Sequence, residues 1–324
     1  MNLRLPLFLM LTAGPCLADQ AAGIAYLTGE SEEGRNIALS IWYPSDEPPS
    51  AEIGGNAVFL GVPAAPDAAL PEAPLPVVIL SHGGLRSAAD SGAWLSSSIA
   101  RAGFIVAEIN APRPENGAAG INEIWRRPQD MRRAIDLMLD SEDWGGRIDQ
   151  ENISVVGFAL GATAALSVAG AGLNVDHYLQ SCAPDDGAAG PDCGWYAAQG
   201  VSLAETDMEA LAGLQRDPRV SSVVAIEPEY PAALSASSVD LAGLLVSLGE
   251  KAPALQDGAN PIQVETVPQA TVFDAFAACT EAGPKILLDE EGDASLCGES
   301  ADARQRIHAD MAKTITSFLG ATGK

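Results

Sequence analysis

The stretch Ile148 to Ala162, IDQENISVVGFALGA, restricts the fold of this chain more than any other. A β-branched apolar run leads into Gly157-Phe158-Ala159-Leu160-Gly161, and small residues continue through Thr163, Ala164, Ala165 and Leu166. The pattern reads as a buried strand, a sharp turn and a helix, since glycines at both ends of so tight a turn remove the Cβ atoms that would collide. Units of this kind build sheets whose strands run parallel and are wound by helices. The turn lifts its central side chain clear of the sheet, and here that side chain is the methyl group of Ala159. Taken alone, the stretch fits an ordinary strand-to-helix turn equally well.

The rest of the chain repeats the alternation. Apolar, β-branched runs predict strands over Ile37 to Tyr43, Pro76 to Ser81, Phe104 to Asn110, Ile153 to Phe158, Val220 to Ile226, Leu241 to Leu248 and Pro261 to Val267. Helical periodicity falls between them, over Ser91 to Arg101, Ile121 to Leu139, Leu160 to Ala171, Leu203 to Leu214 and Ala303 to Leu319. The expected architecture is a doubly wound, mostly parallel α/β sheet, and 47% hydrophobic residues supply a sizeable core. Residues 44–75 and 182–200 are rich in Pro, Gly, Ala and Asp with little periodicity, so they read as surface insertions. The second follows the central helix and is placed to form a small cap over the C-terminal strand ends, where ligands bind in such sheets.

Residues 1–18, MNLRLPLFLMLTAGPCLA, have one arginine, an apolar core and small residues before Asp19, the pattern of a secretory signal cut after Ala18. Pro15 before Cys16, with no small-residue lipobox, argues against lipid attachment there. No later segment is long and apolar enough to span a membrane, so a periplasmic or secreted protein with one domain over 19–324 is expected. Outside the signal stand Cys182, Cys193, Cys279 and Cys297, and an even count in an exported chain favours disulfides. Of the three possible pairings, the local ones, Cys182 with Cys193 and Cys279 with Cys297, are expected. No CxxC pair occurs and there are 3 histidines, so neither metal nor cofactor is expected. A formal charge of −25 makes nucleic acid and anionic membranes poor partners.

Several motifs in order resemble one family: Arg35 with Ile41-Trp42-Tyr43-Pro44, Ser81-His82-Gly83-Gly84, Arg127-Pro128 with Asp130 and Asp136, the glycine-flanked turn, Asp217-Pro218-Arg219-Val220, and Arg306-Ile307-His308. The chain resembles, over most of residues 19–324, bacterial α/β-hydrolases of the predicted dienelactone hydrolase type, related to the platelet-activating factor acetylhydrolases. The resemblance implies an α/β-hydrolase fold with a Ser-His-acid triad for carboxylic esters. In that fold the turn carries the nucleophile as G-x-S-x-G. Position 159 holds alanine instead. The family's histidine lies after the last strand in a run like A-G-H-F-D-F-L with a cysteine beyond. Here the run is Ala270-Thr271-Val272-Phe273-Asp274-Ala275-Phe276 with Cys279, and Val272 stands in the histidine's place. Valine neither accepts nor delivers a proton.

The resemblance also implies an oxyanion loop at His82, Gly83, Gly84 and Leu85, with the N–H groups of Leu160 and of Gly84 or Leu85 as donors. The alternative is that His82 and its glycines only shape a turn. The acid position falls at Glu227 or Glu250, either of which also reads as a surface carboxylate without a histidine to orient. His177 reads as a solvated loop residue and His308 as structural. Arg126, Arg127, Arg132 and Arg133, interleaved with Asp130 and Asp136, read as salt bridges along a solvated helix face rather than an anion site.

Two functions follow. The first is a non-catalytic pseudohydrolase that binds an unknown acyl or lactone-like small molecule, or a protein partner. The second is an active carboxylic-ester hydrolase with an unrecognised nucleophile, for which Ser87 and the run Ser96-Ser97-Ser98 offer hydroxyls.

Overall fold

In the computed structural model, which describes residues 21–30, 34–85, 87–183, 192–258, 262–290 and 292–323, the predicted parallel run forms the middle of a 10-stranded sheet. The strands β5 (Leu75–Ser81), β6 (Ile105–Asn110), β7 (Ile148–Phe158), β9 (Val220–Ile226), β11 (Ala242–Leu248) and β12 (Gln263–Val267) stand in the order β12-β11-β9-β7-β5-β6, each parallel to its neighbour. The strand order reverses at β5, which places the loop after it beside the turn after β7. Strands β5, β6, β7 and β9 are buried on both faces, hence their continuous apolar runs. The expected signal segment lies outside the described residues.

The first insertion does not stay off the sheet. Strand β2 (Ile37–Tyr43) pairs antiparallel with β6, and β1 (Ala22–Gly29) antiparallel with β2. Within residues 44–75, β4 (Val62–Pro66) then adds parallel to β1 and β3 (Ala51–Ile53) antiparallel to β4. Both are short and end the sheet, β3 as its edge strand and β4, which carries Pro63 and Pro66, beside it. A second sheet joins β8 (Gly172–Leu173) to β10 (Leu234–Ser235).

Helices cover both faces. On one, α3 (Glu123–Asp140) and α4 (Leu160–Val168) pack Met131, Ile135, Met138 and Leu166 against Ile79, Val155 and Val223. On the other, α1 (Ala93–Arg101) and α9 (Ala301–Thr322) pack Leu95, Ile99, Met311 and Ile315 against Val78, Val156 and Val246. The shorter helices are α2 (Gly117–Gly120), α5 (Val175–Gln180), α6 (Cys193–Ala198), α7 (Met208–Ala212) and α8 (Gly283–Asp289). The helix expected over Leu203 to Leu214 is broken: Ser202 caps a short turn at Leu203–Glu205, and Asp207 caps α7 separately. A third apolar cluster, with Leu85, Ile121, Leu160, Tyr178, Tyr196 and Tyr230, lies where the second insertion meets the C-terminal strand ends. Both expected disulfides are present, Cys182–Cys193 and Cys279–Cys297, with Cα–Cα distances of 5.3 and 5.4 Å.

Candidate active site

The backbone of the turn after β7 has the conformation that the Gly-x-x-x-Gly spacing anticipates. Ala159 sits at φ 50° and ψ −121°, a region that costs a residue with a Cβ about 1–3 kcal/mol. The surroundings impose it. A Cβ on Gly157 would lie 2.0 Å from the Gly161 carbonyl oxygen, and one on Gly161 would lie 1.9 Å from that of Ser81. The Ala159 N–H donates to the Ile226 carbonyl at 3.0 Å, tying the apex to β9. Ala159 remains partly accessible, while Leu160 behind it is buried.

The loop after β5 lies against this turn. A Cβ on Gly83 would come within 2.4 Å of the Ala159 methyl, so only glycine allows the approach. Arg127, on α3, holds the loop through the carbonyls of His82 (2.7 Å) and Gly84 (3.3 Å). The His82 Nδ1–H donates to the Gly83 carbonyl at 3.0 Å, and burial lowers the ring's pKa to about 4, so it is neutral at neutral pH. A cavity of about 310 Å³ opens beside the loop, walled by His82, Leu85, Ser87, Arg113 and Arg127 among others; its lining does not include Ala159 or Leu160.

Val272 opens a short turn, Val272–Ala275, and is 46% exposed. The turn is built on Asp274, whose carboxylate accepts from the Thr271 N–H and hydroxyl at 2.8 and 3.0 Å and from Arg304 Nε at 3.0 Å. His308 completes the support: its Nε2–H donates to the Asp274 and Phe276 carbonyls, its ring stacks on Trp94, and burial lowers its pKa to about 4. Phe276 packs edge-on against Phe158, 5.3 Å between ring centres, and so ties this segment to the residue preceding Ala159. His308 is therefore structural, and His177 is exposed on α5 with its ring nitrogen on the Ala232 carbonyl.

The acid positions separate. Glu250 is exposed. Glu227 takes φ 44°, and its carboxylate accepts the Leu248 N–H at 2.7 Å; burial raises its pKa. Two residues on is a carboxyl that sequence reasoning missed. Glu229 is 5% exposed, its own N–H reaches the Ala159 carbonyl (3.3 Å), and its carbonyl accepts the Thr163 hydroxyl (2.6 Å). Burial together with the nearby charge of Asp192 raises the pKa of its carboxyl to about 8.

The arginines of α3 are not on a solvated face. Glu123, Arg127 and Asp130 are buried, and Arg35, 88 and 95 residues earlier in the chain, binds Glu123 and Asp130 through both ends of its guanidinium at 2.7–3.1 Å. Arg133 reaches the Arg35 carbonyl, Arg126 lies over the Trp125 ring, and Asp136 pairs with Arg219. The sequence shows the alternating charges but not Arg35, whose arrival turns a helix face into a buried network. Among the described residues, no cluster of three or more His, Cys, Asp or Glu is placed to hold a metal ion, and no helix is long and apolar enough to cross a membrane.

The spare serines are committed elsewhere. Ser96 is buried and donates to Glu108 at 2.8 Å, while Ser97 and Ser98 point back to the Trp94 carbonyl. Ser87 lines the cavity, with its hydroxyl on the Gly83 carbonyl at 2.8 Å.

No protein-family model matches the sequence, and no curated protein does. Among solved structures, the chain is similar to a ferulic acid esterase from Streptomyces cinnamoneus, with a TM-score of 0.56 at 14% identity over 96% of this chain and 92% of that one. At that identity the likeness is one of fold, and it supports the α/β-hydrolase fold for this mostly parallel sheet with helices on both faces.

Proposed function

We propose that this chain is an exported, non-catalytic relative of carboxylic-ester hydrolases of the predicted dienelactone hydrolase and platelet-activating factor acetylhydrolase type. In this reading it binds an acyl or lactone-like small molecule, or a protein, at the C-terminal strand ends. The observation that carries the reading is Ala159 at φ 50°: the strained geometry that presents a nucleophile is kept where the residue has none. Val272 in the histidine's place supports it, because the proton transfer that activates a serine has no agent there. Loss of serine or histidine alone costs about a millionfold in turnover in a serine protease, and loss of both costs little more because they act as a unit. Export is supported by the leader-like residues 1–18 and the two disulfides.

The test is fluorophosphonate labelling and p-nitrophenyl acetate hydrolysis by the protein without residues 1–18. No serine adduct and no turnover above background are expected. The competing reading, an ester hydrolase with another nucleophile, rests on Ser87, which shares the cavity wall with His82. An adduct on Ser87, abolished with turnover in Ser87→Ala, establishes that reading and removes the first.

A further inference from the structure

We propose that the cavity at the C-terminal ends of β5 and β6 is a binding site for a small carboxylate with a short apolar body, whose anionic end is received by Arg113 and Arg127. The inference goes beyond the reading of the turn at Ala159 and does not depend on it, since neither Ala159 nor Leu160 lines the cavity.

The position follows from the sheet. One wall is the loop that leaves β5, and the other is the end of β6 with Ala111 and Arg113 after it. The strand order reverses at β5, and in doubly wound sheets ligands bind in the crevice outside the strand C-termini at such a point. The volume of about 310 Å³ lies near the lower bound of about 300 Å³ for small-molecule sites, so it fits a compact ligand rather than a long acyl chain.

The charge of the wall is opposite to that of the chain. Asp and Glu number 43 against 18 Lys and Arg, yet among the described residues the wall carries two arginines, no carboxylate and a neutral His82. Arg127 is buried and donates to the carbonyls of His82 and Gly84 through separate Nη nitrogens, each of which keeps a second N–H. Arg113 is exposed, and its Nε donates to the Ser87 carbonyl at 2.9 Å, which fixes the guanidinium against the loop. Its two Nη nitrogens have no hydrogen bond or ion pair among the described residues. They form the parallel pair of donors that matches a carboxylate in bidentate fashion.

The other polar groups of the wall are engaged. The Asn110 amide nitrogen donates to the Ser40 hydroxyl at 2.9 Å and its oxygen accepts the Asp90 N–H at 2.8 Å, while the Ser87 hydroxyl donates to the Gly83 carbonyl. The nearby carboxylates already have partners: Asp90 accepts from Ser40, and Glu123 lies between Arg35 and Arg127. The donors with N–H groups to spare are therefore cationic, and they select an anion. Leu85, Ala88, Ala89, Ile109 and Ala111 line the rest and suit a short apolar body.

Calorimetric titration of the purified protein tests this, with benzoate as the probe and its neutral analogue benzamide and inorganic phosphate beside it. Saturable binding of benzoate at millimolar concentrations is expected, with neither benzamide nor phosphate bound there. Arg113→Gln, which removes the charge, should weaken benzoate at least about tenfold. Ala88→Phe, which fills the cavity and keeps both arginines, should abolish binding. Position 113 is exposed and position 88 partly exposed, so neither substitution disturbs the core. Equal affinity for benzamide, a preference for phosphate, benzoate binding that survives either variant, or no saturable benzoate binding overturns the proposal. Ester hydrolysis and serine labelling bear on the reading of the turn and leave these outcomes unchanged.

Discussion

Glu108 offers the most direct check on how this core handles charge. It lies on β6 at 0% exposure, and its carboxyl accepts the Gly92 N–H at 2.7 Å and the Ser96 hydroxyl at 2.8 Å. Burial, with Asp90 nearby, raises its pKa from 4.5 to about 8 despite those donors. The folded protein therefore keeps a proton that the unfolded chain releases above pH 4.5. Stability from this group is greatest at low pH and is lost as the pH rises from 4.5 towards 8. At 1.36 kcal/mol per pKa unit the full effect is about 5 kcal/mol, of which about 3–4 kcal/mol falls between pH 5 and pH 8. Glu108→Gln cannot ionise, and it retains the two contacts, with its carbonyl on the Gly92 N–H and its amide on the Ser96 hydroxyl. Urea unfolding of both proteins at pH 5, 6.5 and 8, disulfides intact, measures the difference. The variant is expected to gain on the natural protein by about 3 kcal/mol across that range, with little difference at pH 5. Glu229 acts in the same direction in both proteins and cancels. Parallel stability curves for the two proteins would refute the reasoning and show that Glu108 folds already ionised.

Ala159→Gly should stabilise the fold by about 1 kcal/mol in thermal unfolding, because glycine adopts φ 50° without strain and this gain exceeds its extra chain entropy. A destabilised variant would mean that the apex is unstrained. Asp274→Ala leaves Arg304 buried without its partner and removes the cap of the Val272 turn; a loss of about 3–5 kcal/mol is expected from urea unfolding, against under 1 kcal/mol for a surface pair. Replacing Cys279 and Cys297 together by serine opens a loop with a sequence separation of 18 and should cost about 3 kcal/mol, read as a lower urea midpoint.

The central strands, the helices between them and the glycine-flanked turn were legible because each is decided locally. A continuous apolar run, a 3.6-residue period and two glycines around a reversal reflect burial and sterics within a few residues. The disulfides were legible for the same reason, since both close short loops. The edge strands β3 and β4 were not, because their pairing is set by partners far along the chain: β4 lies on β1, and the same insertion bonds through Leu60 to the Ala278 carbonyl beside Cys279.

The division is sharpest at the site. That position 159 has no hydroxyl and position 272 no imidazole was fixed by composition at two places in the chain. Which carboxylate is buried beside the elbow was not, because Glu227 and Glu229 look alike in Glu227-Pro228-Glu229. The difference is made by a backbone that takes φ 44° at Glu227 and 55° at Tyr230, with the first carboxylate on the Leu248 N–H and the second residue buried. Likewise, the charges of α3 became a buried network only when Arg35 was brought to them across the sheet. Local sterics and hydrophobic pattern thus specified the scaffold, whereas the environment of each ionisable group depended on long-range packing, which alone determines how much water a charge keeps.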